Sequence, residues 1–132
     1  LKCSTIKETT DNIAKRASVV PEEYRQKLKQ RLSELLENVP VDEQRIASEV
    51  LVFADRCCID EEITRLYSHI SQLESILDSE GAVGRKLDFI VQEMNREANT
   101  SASKSSDLLV TQYAIELKSE IEKIREQIQN IE

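Results

Sequence analysis

Glu93 and Glu97, followed by Asp107 past a serine-rich stretch, are the side chains through which this chain could hold a hard cation. At i and i+4 of a helix, two glutamates lie one turn apart, within reach of a shared divalent ion or an arginine. Left alone they repel, so the spacing calls for a compensating cation. Asp107 adds a third carboxylate if residues 100–106 fold back as a loop. Oxygen ligands of this kind suit Mg²⁺ or Mn²⁺ rather than a structural zinc. A cation so held orients a phosphodiester, activates water and offsets the charge that develops at phosphorus. Arg85, Lys86, Arg96 and Lys104 stand nearby as phosphate ligands, the arginines with a planar fork of donors. The same residues have a plainer use, with Arg85 against Asp88 or Arg96 against Glu93 as ion pairs between subunits. Spacing alone favours that packing surface over a phosphoryl-transfer site.

A helix over 84–99 has to carry these groups. Stepped at about 100° per residue, Leu87, Ile90, Val91, Met94 and Ala98 form one stripe. Asp88, Gln92, Asn95 and Asn99 occupy the opposite arc, flanked by Arg85 and Arg96, and Lys86, Glu93 and Glu97 make a ridge at the boundary. Asn95 and Asn99 would then fix water or side-chain geometry. Upstream, Asp60, Glu61 and Glu62, with Asp55 and Arg56, form a second charged set that either caps a helix or supplies carboxylates to the same site. His69 sits inside a helical pattern and is expected as a surface or interface side chain, not a ligand. The sequence has no Walker loop, no HExxH pair, no Ser-His-Asp order and no aromatic-rich strand on which RNA bases stack.

The elements that must position this helix follow from composition and period. Charged residues are 33% of the 132, aromatics 4%, and Gly and Pro number two each. That mixture suits long helices with narrow apolar seams. Residues 4–19 are weakly amphipathic around Ile6, Ile13 and Ala17, and Pro21 fits the first turn of a second helix bearing Tyr24, Leu28, Leu32, Leu35 and Leu36. Asn38 to Pro40 closes it, and Asp42 can cap the next. Over 43–78 the steps of three and four from Ile46 slip in phase at CCIDEE, where a bend or break is expected. Ser79 to Gly84 is the clearest punctuation. Ser106 or Asp107 caps a last helix whose seam runs Val110, Ala114, Leu117, Ile121, Ile124, Ile128 and Ile131. That coiled-coil-like seam is expected against the Ile46-to-Leu77 helix or its symmetry mate. The fold class is all-α: an elongated helical domain of about five helices with coiled-coil-like packing, residues 1–40 forming a hairpin or linker and 41–132 the main helical domain.

A net charge of −7 opposes nucleic acid except at a local basic patch or through a metal. Cys3, Cys57 and Cys58 are odd in number and lack zinc spacing, with Cys57 and Cys58 read as structural. No secretory or membrane-spanning run is evident, and a reducing cytoplasmic setting is expected.

GRKLDFIVQEMNREANTSASKSSD, with ELKSEIEKIREQIQNIE after it and ADRCCIDEEITRLYSHISQLESIL before it, closely resembles the carboxy-terminal half of the YicC/YloC family of bacterial stress-associated proteins. The resemblance is strong from about residue 43 onward. It implies a divalent-metal-dependent endoribonuclease, a hydrolase of RNA rather than DNA, built as a ring-like homo-oligomer that is a hexamer at full length. It also implies an amino-terminal α/β domain that this chain does not carry. The hydrolase role would fall to the region of Asp88, Glu93, Arg96, Glu97, Lys104 and Asp107. The alternative is a non-catalytic oligomerisation or RNA-binding scaffold.

Overall fold

The computed structural model describes residues 2–37, 39–78 and 84–131, in backbone only at 2, 78 and 128–131. All five elements are helices: α1 (Lys2–Leu36), α2 (Glu43–Arg56), α3 (Asp60–Asp78), α4 (Gly84–Lys104) and α5 (Leu108–Ile131). The 35 residues of α1 span about 52 Å, which makes the molecule elongated.

Pro21 does not start a helix; α1 runs through it. A proline inside a helix removes one hydrogen bond, so its surroundings must hold the geometry. Arg16, on one side of Pro21, forms a bidentate pair with Glu23 on the other, its Nη2 donating at 2.8 Å. Ala17, Val20 and Pro21 also pack by Ala54, Cys57 and Ile59. The helix ends at Leu36, where Glu37 turns to a left-handed φ of 38°.

α2 starts where expected: the Asp42 carboxylate accepts from the backbone N–H of Gln44 and Arg45. Its apolar phase ends at Cys57, whose N–H donates to the Phe53 carbonyl at 3.0 Å, and the phase slip at CCIDEE is a true break between α2 and α3. The punctuation expected at 79–84 lies outside the described residues up to Gly84. α4 continues past 99, the end expected from the serine-rich stretch, to Lys104. Ser101 is fully buried there and Lys104 is paired, so tertiary contacts hold the last turn that weak propensity would release.

The first half of α1 packs between α3 and α5, and α4 closes the ring between the same two helices. Tyr67 of α3 donates to Asp11 of α1, and Arg16 of α1 meets Asp107 at the head of α5. These contacts make neighbours antiparallel around an up-down-up-down bundle. Burial, and then the Asp11 carboxylate, push the Tyr67 hydroxyl up to about 12. The interior holds Ile6 and Ile13, Leu66 and Leu73, Leu87 and Met94, Leu117 and Ile121, all at 2% exposure or less. The α5 seam is buried as the period predicts from Val110 to Ile124; Ile128 and Ile131 lie outside the described side chains. It faces α4 and α1, not the Ile46-to-Leu77 stretch, because a three-residue connection returns α5 beside α4.

α2 packs against α1 alone among the stronger contacts, forming an arm with the second half of that helix. The Tyr24 and Phe53 rings stack at 3.8 Å between centroids, 2° from parallel. Leu35, Leu51 and Val52 on this arm stay exposed. Leu117→Ala should therefore cost about 3 kcal/mol in urea unfolding, as a methyl-lined cavity opens in the bundle. Leu51→Ala should stay within about 0.5 kcal/mol.

Candidate metal centre on the α3–α4 seam

Hydrophobic period sets α3 so that Ile63, Leu66, Ile70 and Leu73 point inward, and α4 so that Leu87, Ile90, Val91, Met94 and Ala98 do. The stripe on α4 is the one its sequence marks out. Along one edge of this packing the two helices meet through charge. α3 brings Glu62, Arg65 and His69 at i, i+3 and i+7; α4 brings Glu93, Glu97, Ser101 and Lys104 at i, i+4, i+8 and i+11. Antiparallel alignment sets Lys104 at Glu62, Arg65 at Glu97, and His69 at the two glutamates.

Glu62 is 1% exposed, and Lys104 Nζ donates to its Oε1 at 2.7 Å, with Arg65 Nη2 at 3.9 Å from the other oxygen. The bond to Glu62 holds the Lys104 ammonium above its ordinary pKa. Glu97, at 5% exposure, accepts from Arg65 Nε at 2.9 Å through Oε1. That bond raises the guanidinium in turn. Glu93 is half-buried, and Arg96 Nη1 stands 4.0 Å from its Oε2.

His69, Glu93 and Glu97 form the one group of potential metal ligands among the described residues, with one ligand atom from each lying within 4.8 Å of the others. A cation with ligand bonds of about 2.1 Å closes that spacing with small side-chain rotations. The His69 Nδ1 is buried and makes no hydrogen bond among the described residues. An imidazole beside two carboxylates fits an ion that accepts nitrogen and oxygen together, Mn²⁺ more readily than Mg²⁺. Arg65 holds only one oxygen of Glu97, which leaves the other to a ligand. Ser101 Oγ, one turn beyond Glu97, is also buried and makes no hydrogen bond among the described residues.

The structure separates other residues that spacing placed near this centre. Asp107 lies outside the cluster. Its carboxylate accepts from Arg16 Nε and Nη2 at 2.9 and 2.8 Å and from the Val110 N–H at 3.1 Å, capping α5. The Arg16 guanidinium holds its carboxyl below the usual range. Asp88 and Asn95 are half-buried and Asn99 exposed, all on the ridge of α4 turned away from Glu97. Arg85, Lys86 and Arg96 are exposed, while Lys104 is committed to Glu62. Asp55 and Arg56 end α2 in solvent; Asp60 and Glu61 open α3, the latter 3.5 Å from Arg65. Of the second charged set, only Glu62 enters the seam. His69 is the residue missed from sequence. Its offset from Arg65 and Glu62 puts all three on one face of α3, but only the pairing of α3 with α4 gives that face a partner.

The class defined here is an all-α bundle with a charged seam beside a cation-ready cluster. The chain belongs to the family described as "Endoribonuclease YicC-like, C-terminal", which matches residues 13–132. A "Probable endoribonuclease YicC" of Clostridioides difficile is 51% identical over 133 residues, covering 100% of this chain and 45% of the relative. A "Probable endoribonuclease YicC" of Haemophilus influenzae is 43% identical over 131 residues, with 99% and 45% covered. The chain thus spans a little under half the length of these curated relatives. Among the described residues no helix is long and apolar enough to cross a membrane.

Asp107→Ala should lower stability by about 1 kcal/mol through loss of the cap. Because the folded carboxyl titrates below its unfolded value, its contribution is complete above about pH 4 and is lost as pH falls through the folded value. Urea midpoints of wild type and variant should differ at pH 7 and converge in acid.

Proposed function

We propose that this chain is the helical half of an endoribonuclease, acting on RNA within a homo-oligomer. The geometry gives its broadest support to a scaffold role: oligomerisation and RNA holding. The α1–α2 arm leaves Leu35 73% exposed and carries a groove of about 390 Å³ lined by Tyr24, Leu28 and Leu32, surface that a partner helix would cover. Arg65 and Lys104 already neutralise much of the buried charge on the seam, as a packing network would.

The catalytic reading rests on one observation, a His69 ring nitrogen within 4.8 Å of carboxylate oxygens of Glu93 and Glu97. In this reading those three side chains hold a divalent ion, Mn²⁺ or Mg²⁺. Such an ion supplies Lewis-acid chemistry for phosphodiester hydrolysis, lowering the pKa of water and offsetting phosphate charge. Arg65 orients Glu97 through the bond from its Nε to Oε1. Arg96, exposed and 4.0 Å from Glu93, offers its guanidinium fork to a phosphate. Glu62 and Lys104 fix the register of the two helices. Asp88, Asn95 and Asn99 stand on the other ridge and serve contacts between subunits.

A labelled single-stranded RNA incubated with this chain, its Glu93→Gln variant and the full-length Clostridioides difficile relative, in Mn²⁺, Mg²⁺ and EDTA, separates the readings. The catalytic reading expects metal-dependent cleavage by the chain, reduced at least about tenfold by Glu93→Gln. Cleavage by the relative alone assigns this chain the scaffold role. If neither protein cuts while both are folded, the endoribonuclease reading fails.

A further inference from the structure

Past His69 and Glu93 the α3–α4 seam opens into a shallow groove of about 350 Å³, lined by Gln72, Ile76, Arg85, Lys86, Phe89 and Ile90. Phe89 lies off the buried α4 stripe and is 59% exposed. Arg85 and Lys86 precede it by four and three residues, so all three share one side of the helix. Neither cation makes a hydrogen bond or ion pair among the described residues. Elsewhere on the seam the cations are matched: Arg65 to Glu97, Lys104 to Glu62. In a chain of net charge −7, an exposed guanidinium and ammonium stand here beside an open aromatic ring. They present one flat apolar face and two phosphate-seeking groups together. That combination is the one by which proteins hold single-stranded nucleic acid, with a base on the ring and its phosphate on the cations.

We propose that Phe89, Arg85 and Lys86 form a nucleotide subsite for single-stranded RNA, one helical turn from Glu93. A base stacks on the Phe89 ring while Arg85 and Lys86 hold the adjoining phosphate. The strand then runs along the seam toward His69, Glu93 and Glu97. This rests on reading the chain as part of an RNA-cleaving protein, yet it concerns binding and is measurable without cleavage. A duplex offers no free base face, so the subsite also selects unpaired RNA.

The chain has no tryptophan, so Phe89→Trp creates a single fluorescent reporter at the subsite. Titration with a ten-residue oligoadenylate in EDTA should quench its emission saturably, less so as salt rises, and a matching duplex should not. Phe89→Ala should weaken binding of the labelled oligonucleotide roughly tenfold by fluorescence anisotropy, with the helical circular dichroism unchanged. Arg85→Ala with Lys86→Ala should weaken it comparably and flatten the salt dependence. Unquenched emission, or equal binding by Phe89→Ala and wild type, overturns the subsite. So does emission that shifts blue with protein concentration and ignores RNA, which makes the groove a contact between copies. Quenching without cleavage in Mn²⁺ leaves the subsite standing and removes the nuclease reading; cleavage without quenching removes the subsite alone.

Discussion

Two carboxylates buried between α3 and α4, Glu62 and Glu97, constrain the rest of this molecule. An ionised carboxylate out of water costs several kcal/mol unless a cation meets it in good geometry. Lys104 and Arg65 meet that demand from opposite helices, each on its partner's glutamate. The pairing leaves α3 and α4 little freedom to slide, since a one-turn shift would strand both charges at once. With the register set, the remaining charged positions on the two helices follow. His69 comes to rest beside Glu93 and Glu97, and Phe89 comes to rest beside the mouth of the same seam.

Arg16 is the corresponding tie on the other side of the bundle. One guanidinium holds Glu23 across Pro21 and Asp107 at the head of α5. It therefore braces the helix turn that proline weakens and fixes where the last helix begins. The first half of α1 is thereby built into the bundle, whereas the second half leaves it and carries α2 alone. The molecule changes character along that line: a bundle edge bears charge and an exposed ring, and an arm bears exposed leucines.

Much of the architecture was legible in the sequence where a local rule was enough. The stripe of Leu87, Ile90, Val91, Met94 and Ala98, the Asp42 cap and the phase slip at CCIDEE each depend on residues within a few turns of one another. The family was legible too, in the run from Gly84 to Asp107. What period could not reveal was anything settled by a distant partner. Pro21 stays helical because Glu23 and the α2–α3 break support it. α4 reaches Lys104 because Glu62, 42 residues earlier, holds that lysine. Asp107 has the composition of a metal ligand, but Arg16, 91 residues away, claims it. His69 was read as a surface or interface side chain for the same reason, since its neighbours in space belong to another helix.

The proposed metal site, in which His69, Glu93 and Glu97 hold one divalent ion, is the part of the account most directly open to measurement. Electron paramagnetic resonance of free Mn²⁺ titrated into the chain, beside a His69→Ala variant with unchanged helical circular dichroism, tests it directly. The account predicts one ion bound per chain and an affinity about tenfold or more weaker in the variant. Equal affinity and stoichiometry in the two proteins would contradict it, because the ion would then sit where the His69 nitrogen plays no part.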